Sequence, residues 1–154
     1  MNKARWVTAM HEASHANAYL SFNIIPDGAE LFSDEEGKVY HNLSERKMAA
    51  RLKNERLREQ YAVISFAGIV MEMICNGHDV SDDLIIGDNR DLQRVTEYGY
   101  TNDYERMSIQ LEALSIVVSS QATIESIAGV LYYSGSISRK DVKILWDYNQ
   151  RKQA

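Results

Sequence analysis

Along the first twenty residues the apolar side chains Trp6, Met10, Ala13 and Leu20 recur at helical spacing, which predicts a helix over Lys3–Ser21. Asn17 falls on the same side and is the one polar interruption of that stripe. The pattern then breaks. FNIIPDGAELF contains Pro26, the sole proline, and an Asp27-Gly28 turn pair, so it reads as extended and looped. EEGKVYHNL adds a turn at Gly37 and a strand-like run from Val39 to Leu43, so the two stretches predict a small hairpin or edge sheet.

Helical periodicity returns after Ser44, a candidate N-cap. A basic helix there runs on or bends into the apolar-rich stretch Tyr61–Cys75, which Asn76-Gly77 terminates. HDVSDDLIIGDNR reads as loop. DLQRVTEYGY is helical in pattern, with Gly99 inside it costing about 1 kcal/mol relative to alanine. Thr101 or Asn102 can cap a helix through IQLEALSIVVSS, and QATIESIAGVLYYSG forms another that ends at Gly135. Ser138, with Asp141 three residues on, approximates a capping box for a final helix. The expected fold is mainly α, a single domain over residues 1–154 with a small β element after the first helix.

Size agrees with this reading. A chain of 154 residues buries roughly 70% of its unfolded surface without staples. The lone Cys75 excludes an internal disulfide and suits a reducing compartment. No apolar run has the character of a signal peptide or of the ~18-residue membrane span, so a cytoplasmic protein is expected. The net charge of −5 is uneven: Ser44–Arg58 carries six of the seventeen basic residues and two of the twenty-two acidic ones. That segment lacks the interleaved aromatics that stacking on nucleic acid requires, so it is read as a solvated face and no nucleic-acid partner is expected.

Candidate chemistry centres on HEASH. His11 and His15 stand four residues apart, so their imidazoles lie nearly superposed, about 6 Å apart along the axis, and can converge on one Zn²⁺. Glu12 points elsewhere on the helix and can accept a proton from the attacking water and pass it to the leaving amine. A shuffled chain of this composition contains H-E-x-x-H roughly once in a hundred trials, so the motif alone is informative without being decisive. A catalytic zinc needs a third protein ligand, for which His41, His78, Asp82, Asp83, Asp88 and Asp91 are candidates that spacing does not separate.

HEASHA, NIIPDG, AGIVME, GDNRDLQRVTE and ATIESIAGVLYYSGSISRKDV fall in the order found in the peptidase domain of the FtsH family of ATP-dependent zinc proteases, which the chain resembles over nearly its whole length. The family's H-E-A-G-H matches His11, Glu12, Ala13 and His15, with Ser14 in place of glycine. Its I-I-P-x-G matches Ile24, Ile25, Pro26 and Gly28, and its A-G-x-x-x-E matches Ala67, Gly68 and Glu72. Its G-x-x-x-D-L matches Gly87, Asp91 and Leu92, and the resemblance implies that Asp91 is the third zinc ligand. Glu72 is then a candidate to orient a zinc-bound histidine. Arg90 and Ile69 depart from the family's usual asparagine and arginine, but neither removes a ligand.

The resemblance implies a zinc metallopeptidase, with a catalytically inactive adaptor as the alternative. No G-x-x-x-x-G-K-[ST] phosphate loop occurs, so the expected substrates are peptides or unfolded polypeptides, with a separate ATPase as a partner for folded ones. Ring-forming relatives make self-association an expectation. Phe22–Ile25 is the expected edge that receives substrate as an added strand. Rival nucleophiles are weak: no G-x-S-x-G is present, and Cys75, near His78, ends an apolar helix where thiols are usually inert.

Overall fold

The computed structural model describes residues 1–153, and Ala154, the last position of the expected 1–154 domain, lies outside the described residues. Among the described residues, seven helices and three strands follow in the order α1 (Lys3–Ser21), β1 (Gly28–Leu31), β2 (Gly37–Tyr40), α2 (Glu45–Leu52), α3 (Glu55–Cys75), α4 (Arg90–Glu97), α5 (Asp103–Ser119), α6 (Gln121–Ser134), β3 (Ser136–Ser138) and α7 (Arg139–Gln153). The protein is mainly helical with a small antiparallel sheet, as its periodicity predicts.

Local chemistry sets the helix boundaries. Asn2 starts α1 by accepting from the Arg5 amide at 3.1 Å, and Ser44 starts α2 by accepting from Lys47 at 3.2 Å. The basic and apolar helices are separate: the chain breaks at Lys53-Asn54, and Asn54 caps α3 through the Leu57 amide. Asn102 caps α5, and Ser138 accepts from Asp141 at 3.1 Å to start α7. Gly99 is not inside a helix as its sequence context suggests; α4 ends before it and the chain turns there at a φ of 97°, which glycine adopts without strain.

Between Tyr61 and Met71 every residue of α3 is buried, the condition of a helix wrapped on all sides. It packs against α1, α4 and α5. One apolar cluster joins α1, α3, α6 and the sheet; a second, containing Phe66, Leu92 and Val95, joins α3 to α4 and α5. Full burial of a side chain such as Phe66 stabilises by about 2–3 kcal/mol. α1 therefore lies between the sheet and α3, with its two histidines in the interface. No single helix among the described residues is long and apolar enough to cross a membrane.

The sheet order is β2-β1-β3, all antiparallel. β3 is not predicted by the sequence pattern: Gly135, at a φ of 79°, ends α6 and lets the next three residues pair with β1. Phe22–Ile25 is not a strand. Phe22 caps α1, Asn23 takes a left-handed φ of 61°, and the chain reaches strand geometry only at Gly28. The hairpin partner is Gly37–Tyr40, earlier than the expected Val39–Leu43.

Candidate metal centre

Two helices bring three side chains together. α1 supplies His11 and His15, and the first turn of α4 supplies Asp91. His11 Nε2 and His15 Nε2 are 3.0 Å apart, and Asp91 Oδ2 lies 3.1 Å and 3.2 Å from them. Of the candidates for a third ligand, only Asp91 joins the two histidines; His41, His78, Asp82, Asp83 and Asp88 stand outside the group.

The outer contacts fix which ring nitrogen faces inward. His15 Nδ1 lies 2.7 Å from the Ile64 carbonyl, and His11 Nδ1 lies 2.9 Å from Glu72 Oε2. Both partners can only accept, so each Nδ1 carries a proton and donates. In the neutral rings both Nε2 atoms then present lone pairs, and Asp91 adds a carboxylate oxygen. Three lone-pair atoms within 3.2 Å of one another repel unless a positive charge sits among them.

A proton is one solution. Burial disfavours a charged ring at His11, but hydrogen bonds to Asp91 and Glu72, with the negative charges of Glu12 and Asp91, raise its pKa to about 10. Burial alone would raise Asp91, yet the charge of His15 and hydrogen bonds from both rings hold it well below the usual carboxylate range. A proton on His11 Nε2 alone leaves His15 Nε2 facing Asp91 Oδ2 without a hydrogen between them, and protons on both rings set two N–H groups against each other at 3.0 Å. A metal ion satisfies all three atoms at once. Ligands bound at ~2.1 Å to a tetrahedral ion stand about 3.4 Å apart, close to the 3.0–3.2 Å found here. The group can hold a metal ion.

Space for the ion comes from a glycine. A Cβ added at Gly68 would lie 2.4 Å from His15 Nε2 and 2.7 Å from His11 Nε2. A glycine inside a buried helix costs roughly 1 kcal/mol, and that cost was the signal available in the sequence for its role here. Asp91 is steadied by Arg94, 3.7 Å from its other oxygen. The approach of α4 depends on Gln110 of α5, whose fully buried amide accepts from the Ile85 amide at 2.8 Å and donates to the carbonyls of Val80 and Asp83. Asn89 then caps α4 through the Leu92 amide at 3.0 Å. Periodicity carries no trace of Gln110's role, because its partners are backbone groups of an irregular loop.

Glu12 is 7% exposed and lies between the metal group and the hairpin. A Cβ at Gly37 of β2 would come within 2.8 Å of its Cγ, so β2 is the strand that borders this carboxylate. Cys75 lies outside the group, and burial pushes its thiol up, away from the reactive thiolate. No protein-family model matches the chain, and no curated protein matches it.

Proposed function

We propose that the protein is a zinc-dependent metallopeptidase acting on peptides or unfolded polypeptides. The observation that carries this reading is the convergence of two ε-nitrogens and one carboxylate oxygen, with a buried glutamate beside them. Two imidazoles and a carboxylate form a donor set that suits zinc and leaves a coordination position open for chemistry. The motif order shared with the FtsH-family peptidase domain supports the same assignment.

When bound, zinc lowers the pKa of water toward 7 and polarises a carbonyl. The chain's own groups do the rest. His11 and His15 are held in one tautomer by Glu72 and the Ile64 carbonyl. Glu12 takes the proton from the attacking water and delivers it to the amine released when the peptide bond breaks.

Substrate positioning falls to β2. Its outer edge is unpaired, since β1 has β2 on one side and β3 on the other. The Tyr40 and Glu36 carbonyls accept from Asp27 and Phe32 across the hairpin. By the two-residue alternation of an antiparallel pair, the backbone groups of Gly37 and Val39 face outward. A substrate strand paired there runs beside Glu12. This edge replaces Phe22–Ile25, which is turn and coil.

The test is Glu12→Gln. The variant keeps zinc and loses cleavage of a labelled unfolded protein by about 10²-fold or more. Zinc-loaded wild type that cleaves nothing favours the adaptor reading, in which the same face binds polypeptide without hydrolysing it.

A further inference from the structure

A cavity of about 300 Å³ opens between the end of α1, the segment after β2, α2 and α3. Tyr19, Leu57 and Tyr61 give it apolar walls, while His41, Arg51 and Arg139 bring basic groups to it. No aspartate or glutamate lines it among the described residues. Burial lowers the His41 pKa, so at neutral pH the charge comes from the arginines. Arg139 is already committed, donating to Ile25 O at 3.0 Å and to Asp27 at 3.2 Å. None of the ion pairs among the described residues involves Arg51.

Tyr61 is 2% exposed, and its hydroxyl makes no hydrogen bond within the described residues. The hydroxyl is itself buried, so Tyr61 presents its ring to the cavity. The cavity thus offers apolar walls and an uncommitted guanidinium.

Its position connects it to the metal group. Tyr19 follows His15 by four residues on α1. Tyr61 precedes Ile64, the acceptor of His15 Nδ1, by three on α3. These offsets place the near wall of the cavity about 6 Å along the helices from the histidines. An extended peptide rises about 3.3 Å per residue, so an occupant against that wall stands about two residues from the bond at the metal.

We infer that this cavity is a specificity pocket for a carboxylate carried on an apolar stem of the substrate, with Arg51 as its ion partner. The inference rests on the peptidase reading for the identity of the occupant. Two sources supply that chemistry, a glutamate side chain or the free C-terminus of a polypeptide.

The experiment uses zinc-loaded Glu12→Gln protein and fluorescein-labelled ten-residue peptides, with one glutamate walked along an alanine-leucine sequence. Each peptide is made with a free and an amidated C-terminus, and each has a glutamine counterpart. Read by anisotropy, one glutamate position is expected to bind about tenfold tighter than its glutamine counterpart. The preference is lost in Arg51→Gln and shifts toward lysine in Arg51→Glu. A preference that survives amidation identifies the side chain, and one that amidation abolishes identifies the C-terminus. Equal binding of all peptides by Arg51→Gln and its parent, or no binding by the parent, overturns the pocket assignment. If wild type cleaves none of the peptides while the Arg51-dependent preference persists, the pocket stands and hydrolysis is the claim that fails.

Discussion

Gly68 of α3 faces His15 of α1 so closely that a methyl group on its Cα would lie 2.4 Å from Nε2 of the ring. The hydrogen at this position leaves room for an ion between two helices that are otherwise tightly packed. In a helix interior, Gly→Ala ordinarily stabilises by about 1 kcal/mol. Here the added carbon occupies the space of the ion, so Gly68→Ala is expected to lose at least roughly tenfold in metal affinity, the scale of damage to groups around a metal. Zinc titration and helical content by circular dichroism separate this from unfolding: the helices persist and the metal does not.

Glu72 accepts from His11 Nδ1 at 2.9 Å and is the group that turns Nε2 of that ring inward. Glu72→Ala removes the acceptor while leaving all three ligands. Metal affinity is expected to fall about 10–100-fold. Cleavage at saturating zinc recovers in part, which distinguishes Glu72 from Glu12.

Gln110 holds the loop that delivers Asp91. Gln110→Leu deletes three hydrogen bonds and strands the Ile85 amide and two carbonyls in a buried setting. The expected loss of stability is about 2–4 kcal/mol, from buried partners left at ~1–3 kcal/mol each with partial relaxation. Denaturant unfolding measures it. Weaker metal binding should accompany it, although Gln110 belongs to no part of the metal group.

Val39 tests the substrate edge. Its amide faces outward from β2, where proline is tolerated because no ladder bond is lost. Val39→Pro is expected to raise KM for an unfolded substrate about 2–10-fold, the worth of one hydrogen bond, with zinc content unchanged. Unaltered kinetics would place the substrate elsewhere.

The legibility of the chain divides by range. α1 was readable to its ends, because its apolar stripe and its terminating residues are local. The ligand pair His11 and His15 was readable for the same reason, since one helix fixes their relation. Asp91 could be nominated only through the ordered motifs, because a contact across 76 residues leaves no periodic mark. β3 leaves no sequence signal because three residues between two helices, Ser136–Ser138, carry too short an alternation to mark a strand. Phe22–Ile25 reads as an edge because its apolar residues resemble a strand, while the left-handed Asn23 turns the chain instead. Arg51 and Tyr61 meet at one cavity through the packing of α2 on α3, which neither helix specifies alone.

The most direct test of the account is metal stoichiometry, measured on the purified protein beside Asp91→Ala. Wild type is expected to hold about one zinc per chain, and the variant, with two imidazoles and no carboxylate, less than about a tenth of that. Equal metal in both proteins, or none in the wild type after zinc loading, would contradict a centre built from His11, His15 and Asp91.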